Sequence, residues 1–225
     1  MNRNFAFRNP AFTEFFRGLE ASGVTVERAA ASRAMGSLIG KRVFDISLAL
    51  PLCVLALPLI VVLGLLVRVT SKGPAIHWSH RIGKDNRVFR MPKLRTMSVW
   101  APQLATHLFS RPEDFLAPFG RFLRRTSLDE LPQLFSILAG DLSFVGPRPA
   151  LFNQDDLVAL RTSIGIHRLM PGLTGWAQVN GRDSLTLAEK VQFDAEYQET
   201  QSFWFDLRIL GLTLRKVLLR EGIRH

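Results

Sequence analysis

Residues 46–67 read ISLALPLCVLALPLIVVLGLLV, and this stretch decides how the rest of the chain is arranged. Its 22 residues carry no charge. At ~1.5 Å per residue a straight helix of that length reaches about 33 Å, enough to cross the hydrocarbon of a bilayer. Two features argue for a different path. Pro51 and Pro58 lie inside the run, and each removes an amide donor and crowds the carbonyl four residues back. Lys41 and Arg42 precede the run, and Arg68 and Lys72 follow it. A spanning helix carries its excess of Lys and Arg on one side only. Basic residues at both ends suit a helix-break-helix that dips into the membrane and returns to the same face, with the freed backbone groups partnered by protein. The alternative is a kinked span. Asp45, at the entry, is expected to pair with Lys41 or Arg42.

Outward from this stretch, three parts follow: an arm over 1–40, the membrane segment over 41–72, and a folded unit over 73–225. The arm interleaves Phe5, Phe7, Phe12, Phe15 and Phe16 with Arg3, Arg8 and Arg17. Such a pattern fits a loosely ordered segment on a membrane surface or, by composition, an organellar presequence. The whole chain of 225 residues is 47% hydrophobic and 21% charged, so it is neither disordered nor short of material for a core. One cysteine, Cys53, excludes a disulfide scaffold and a zinc site built on thiolates. Lys and Arg number 29 against 19 Asp and Glu, a net charge of +10. The partner is therefore anionic: nucleic acid, a phosphorylated substrate or anionic lipid.

Beyond the Ser71-Lys72-Gly73-Pro74 turn, short alternating stretches flank Gly83-Lys84-Asp85-Asn86 and predict a small β-hairpin. Lys93 and Arg95 alternate along its second strand, which puts them on one side. The segment 104–125 is broken by Pro112 and Pro118, with helix from about Phe119. Leu131, Leu134, Phe135 and Leu138 have helical spacing, ended by Gly140. Further helices are expected over 153–162, 187–198 and 202–220. The last has Phe203, Trp204, Leu207, Leu210, Leu214 and Val217 on one side, which suits either a membrane interface or a core-facing helix. The fold class is α+β, mainly helical.

The densest polar cluster is Arg121 to Glu130, where Arg121, Arg124 and Arg125 precede Asp129 and Glu130. Ser127 and Glu130 have capping-box spacing; alternatively both acids lie in the approach to a helix that begins at Pro132. An ionised Asp beside arginines is a possible nucleophile toward phosphorus, and a neighbouring Glu a possible ligand for a divalent cation. The plainer account is capping and surface ion pairs. Gly146-Pro147-Arg148-Pro149 fixes one guanidinium between two prolines, as bidentate phosphate binding requires. The five histidines have no metal-ligand spacing, and no dinucleotide, Walker or nucleophile-elbow motif is present.

At these residues the sequence resembles the bacterial sugar transferases, the monotopic phosphoglycosyl transferases, from Lys41 to the C-terminus. The landmarks stand in order: Lys41-Arg42-Val43-Phe44-Asp45; Lys93-Leu94-Arg95-Thr96-Met97; Arg124 to Leu134; Gly140 to Pro149; and Arg168 to Arg182. The resemblance implies a re-entrant helix that enters and leaves by the cytosolic face of the bacterial inner membrane. It implies transfer of a sugar-1-phosphate from a nucleoside diphosphate sugar, expected to be a UDP-sugar, to polyprenyl (undecaprenyl) phosphate with Mg²⁺, the first step of exopolysaccharide, lipopolysaccharide or other glycoconjugate assembly. In that frame Asp129 is the nucleophile and Glu130 the metal ligand. Arg148 binds phosphate, with Lys93, Arg95 and Arg125 beside it, and Asp141 and Asp194 support the site. Membrane lipids and a second copy of the chain are further expected partners, and nucleic acid is not. Two departures stand out. Leu57-Pro58 replaces the family's usual Ser-Pro, and Pro51 adds a second break. The competing class is a membrane-tethered basic module that binds nucleic acid or anionic lipid without turnover. Two acids inside its basic cluster argue against that class.

Overall fold

The computed structural model describes residues 34–101, 115–181 and 184–219. Helix α1 (Ala34–Thr70) is followed by strands β1 (Ile76–Ile82) and β2 (Val88–Leu94), joined through a tight turn at Lys84–Asn86. Next come α2 (Gly120–Thr126), a 3₁₀ turn at Leu128–Glu130, α3 (Gln133–Ala139), β3 (Ser143–Val145) and β4 (Ala150–Leu151). The rest is α4 (Asp155–Ser163), a 3₁₀ turn at Ile166–Arg168, β5 (Gly172–Thr174), α5 (Trp176–Asn180), α6 (Leu187–Thr200) and α7 (Phe203–Leu219). The expected α+β, mainly helical class is what the chain adopts. The arm up to residue 33 lies outside the described residues.

The hairpin forms where its turn residues predicted, antiparallel from Ile76 opposite Leu94 to Ile82 opposite Val88. Asp85 and Asn86 take left-handed backbone angles, φ 55° and 59°, in its turn. Strand β4 joins the far edge of β1, giving the order β2-β1-β4, while β3 and β5 pair in parallel.

Helix α1 is unbroken in its assigned structure through both prolines. A loss of helix at Pro58 was expected and does not occur; the missing amides are tolerated inside one element. Its buried residues are Asp45, Ala49, Cys53, Ile60, Leu63 and Val67, a stripe that recurs every three, four or seven residues. Ala49 and Cys53 pack with Leu134, Ile137, Leu142 and Val145, while Leu63 and Val67 pack with Leu94 and Leu123. Away from this stripe Val43, Leu50, Val54, Leu55, Val61, Val62, Leu65 and Val69 are all exposed, so among the described residues α1 presents an apolar surface that none covers.

Both ends of α1 are tied to the folded unit. Arg42 donates to the Ile137 and Leu138 carbonyls at 2.6 and 2.9 Å, satisfying the open end of α3. Asp45 accepts from the Ser143 hydroxyl and the Phe144 amide, each at 3.1 Å, rather than from Lys41 or Arg42 as expected. Lys41 instead pairs with Asp206 of α7, which also accepts from Tyr197 at 2.8 Å. At the other end Arg95 donates to the Ser71 and Lys72 carbonyls.

Candidate active site

The turn that carries Asp129 and Glu130 hangs between α2 and α3. Ser127 has φ 55° and makes no capping hydrogen bond, so the expected capping box is absent; α3 begins at Gln133 with Pro132 just before it. The second of the two arrangements open to the sequence is the one adopted. The physical reason is that Ser127 ends α2 in the left-handed region, which turns its side chain away from the amides ahead. A capping box does form at α6, between Thr186 and Glu189.

Asp129 is buried, only 7% exposed. Burial pushes its carboxyl up to about 6, and the neighbouring Glu130 adds to the rise; Lys93, Arg124 and Arg148 act in the opposite sense. Lys93, on β2, is the first of these cations. Burial pulls its ammonium down to about 8 while Asp129 opposes that shift. Arg124 reaches in from α2 and is steadied by donating to the Thr96 hydroxyl at 3.0 Å. Glu130 and Arg148 form an ion pair at 2.7 Å, which brings the Gly-Pro-Arg-Pro loop to the acid turn.

That loop is held through its carbonyl oxygens. Gly172 donates to Pro147 at 3.0 Å, Arg161 to Arg148 at 2.7 Å and Arg81 to Pro149 at 3.1 Å. Arg161 is in turn gripped by the buried Asp194, its Nε and Nη2 donating to one carboxylate oxygen at 2.9 and 2.6 Å. Gly146 is required here. A Cβ there would stand 2.3 Å from the Met170 carbonyl, so only glycine lets the loop lie against the segment leading into β5.

Four of the expected residues therefore meet: Asp129, Glu130, Lys93 and Arg148. Asp194 supports them from behind through Arg161. Arg95 does not join them. Strand β2 ends at Leu94, and past it the guanidinium turns to the Ser71 and Lys72 carbonyls just after α1, where it ties the end of that helix to the domain. Arg125 is exposed on α2, and Asp141 is exposed just after α3. Arg81, Arg124 and Arg161 contribute without having been singled out. Burial and the nearby Arg148 pull Arg81 down to about 10. Arg124 could have been found from its place in the acid cluster; Arg161 has no local signal at all.

A metal fits only in part through protein groups. Among the described residues no group of three or more His, Cys, Asp or Glu side chains could hold an ion. The donors present are the two adjacent carboxylates. That set suits a hard cation such as Mg²⁺, which takes one or two carboxylates and completes its shell with substrate phosphates and water.

A buried carboxylate ringed by cations, on an α+β domain clasped to a long apolar helix, is an arrangement suited to phosphate chemistry. The chain belongs to the bacterial sugar transferase family, whose model matches residues 36–220. It is 38% identical over 189 residues to the sugar transferase EpsL of Bacillus subtilis, covering 84% of this chain and 92% of that protein. It is 38% identical to the UDP-glucose:undecaprenyl-phosphate glucose-1-phosphate transferase of Escherichia coli, over 81% of this chain and 41% of that protein. The undecaprenyl-phosphate galactose phosphotransferase of Salmonella typhimurium is 37% identical, again over 81% of this chain and 41% of its own length. The chain thus matches less than half of these two larger relatives and nearly all of EpsL.

Proposed function

We propose that this protein transfers a sugar-1-phosphate from a UDP-sugar to undecaprenyl phosphate at the cytosolic face of the bacterial inner membrane. The observation that carries the reading is the buried Asp129 with Glu130 beside it and Lys93, Arg124 and Arg148 around it. In this reading an Asp129 oxygen attacks the sugar-bearing phosphorus, and the bond to the bridging oxygen breaks. UMP leaves with the electron pair. An oxygen of undecaprenyl phosphate then attacks the same phosphorus and releases the carboxylate. Arg148 and Lys93 hold the phosphoryl oxygens and offset their charge as the anion approaches. Glu130 would hold Mg²⁺, which supplies charge neutralisation at the diphosphate. The relatives' names support donor and acceptor. The competing binding-module reading is disfavoured, because the two acids sit at the centre of the basic cluster, where a polyanion would meet them first.

A re-entrant path for α1 is part of the proposal. From Arg42 to Lys72 a straight helix would run about 45 Å, yet residues at both ends bond to the same folded unit. A helix clasped at both ends by one domain supports entry and exit on one face.

The experiment is release of UMP from a panel of UDP-sugars, including UDP-glucose and UDP-galactose, by the purified chain with undecaprenyl phosphate and Mg²⁺. Release with at least one sugar, abolished by excess EDTA, is expected. No release from any of them, or full activity in EDTA, would reject the reading of the reaction or of its metal respectively.

A further inference from the structure

Gln133 follows Asp129 by four residues, and the backbone between them is helical. Leu131 and Pro132 have φ,ψ of −52°,−39° and −62°,−17°, so the turn at Leu128–Glu130 runs into α3 without leaving the right-handed region. The bonds through this stretch run three residues back, from Leu131 to Leu128 and from Leu134 to Leu131, so Gln133 lies little more than one turn beyond Asp129. Asp129 and Gln133 are both buried, whereas Phe135 is exposed. Helical side chains lean toward the N-terminus, over the preceding turn, which inclines the Gln133 carboxamide toward Asp129. Gln133 is 2% exposed, and its Nε2 is enclosed without a hydrogen-bond partner. An enclosed amide donor with no acceptor costs folding free energy and is uncommon in folded chains. Methionine would fill a similar volume without that cost. A donor kept idle about one turn from a nucleophile calls for an acceptor that arrives during the reaction.

We propose that Gln133 is a catalytic residue for phosphoryl transfer, its Nε2 donating a hydrogen bond to the phosphoryl group while that group is bonded to Asp129. The inference rests on the reading of Asp129 as nucleophile. In both half-reactions the same phosphorus exchanges one oxygen ligand for another: bridging oxygen for Asp129, then Asp129 for the acceptor oxygen. No proton moves onto or off the amide. A neutral donor suits this place. Lys93, Arg124 and Arg148 already favour the ionised carboxylate, and a further cation would make it a weaker nucleophile. An amide stabilises the phosphoryl oxygens and leaves the carboxylate as it is.

The test separates this inference from the one beneath it. With the full chain in lipid nanodiscs, Mg²⁺, no acceptor, and the UDP-sugar giving most release in the panel, the first turnover yields UMP and a labelled protein adduct. Gln133→Met should slow that burst about 100-fold, as expected for loss of one preorganised donor, while KM stays within about threefold. The melting temperature should not fall, because an unpaired donor has been removed; a purely structural glutamine would show a lower melting temperature and an unchanged burst. A Met variant that bursts at the wild-type rate overturns the proposal. Should the variant fail to fold, the wild-type chain with beryllofluoride on Asp129 decides. Nε2 within about 3.5 Å of a fluorine supports the proposal, and a longer separation overturns it. Asp129→Asn in the same assay addresses the other question. If it still bursts at the wild-type rate, the nucleophile has been misassigned. If it forms no adduct while Gln133→Met is unaffected, only the role of Gln133 is lost.

Discussion

Asp129 is kept in the folded chain at a thermodynamic disadvantage, and the sign of that disadvantage can be tested. Its carboxyl titrates at about 6 when folded, against an ordinary 3.8. Between those values the native state binds more protons than the unfolded one, so stability falls as pH rises through the window and levels off above it. In EDTA, Asp129→Asn should therefore be more stable than wild type by about 1–3 kcal/mol at pH 7.5, with the difference vanishing below about pH 4. Calorimetry across pH measures this, and a less stable Asn variant would contradict it. The same variant should lose several decades of turnover. Arg148→Lys keeps a charge but not the planar fork that meets Glu130, and should lose at least about 100-fold in turnover with an unchanged melting temperature. A coupled UMP assay and a thermal scan read both. That Asp129, Glu130 and Arg148 would stand together was implied by the resemblance of their motifs to the family's, since spacing alone left capping and surface ion pairs as the plainer account. Arg81 and Arg161 were not legible, because strand register and the packing of α4 on α6 bring them in from distant parts of the chain.

At the scale of elements, α4 and α6 set the Arg148 loop through one buried ion pair. Arg161→Met would leave Asp194 buried without its partner, which costs about 3–5 kcal/mol. It would also free the Arg148 carbonyl. Turnover should drop with stability, and Arg161→Met combined with Asp194→Leu should recover much of the stability but not the rate. Denaturant unfolding of the single and double variants would show this, and a double variant no more stable than the single would argue against the pair. Helix α1 was legible as an apolar element, but the anchoring of Arg42 on α3 and of Lys41 on α7 was not. Nor was its buried stripe, since residues apolar all round give no period to read. The loss of helix expected at Pro58 failed for a related reason. Proline breaks a helix chiefly where the freed carbonyl has no alternative, and docking on β2, α3 and β3 keeps the helix in place. A topology test remains clear. In a Cys53→Ala background, Glu20→Cys and Arg220→Cys should both resist a membrane-impermeant maleimide in intact cells, and labelling of the first alone would mean that the helix spans.

At the scale of the molecule, the described residues leave apolar surface outside the core on the uncovered sides of α1 and on the outer stripe of α7 with Phe203, Trp204, Leu214 and Val217. The sequence left α7 open between a membrane interface and a core contact. The helix makes the core contact, burying Asp206 and Ile209 on one side, and exposes Phe203 and Trp204 on another. Leu55→Lys, at a position 75% exposed, should release part of the protein from the membrane fraction while leaving the fold of the detergent-extracted chain intact. Fractionation followed by circular dichroism tests both halves of that statement.

The uncovered surface of α1 also makes amphiphile a thermodynamic partner of the native state. Anything that binds the folded chain and not the unfolded one raises its stability by mass action, in proportion to the logarithm of its free concentration. Under the membrane reading proposed above, lipid and detergent meet that condition, because the surface they would cover exists as a continuous band only when α1 is helical and docked. The melting temperature of this protein should then be a titration curve in lipid rather than a constant, climbing with the lipid-to-protein ratio until the band is filled. Stabilities of its variants are comparable only at one point on that curve.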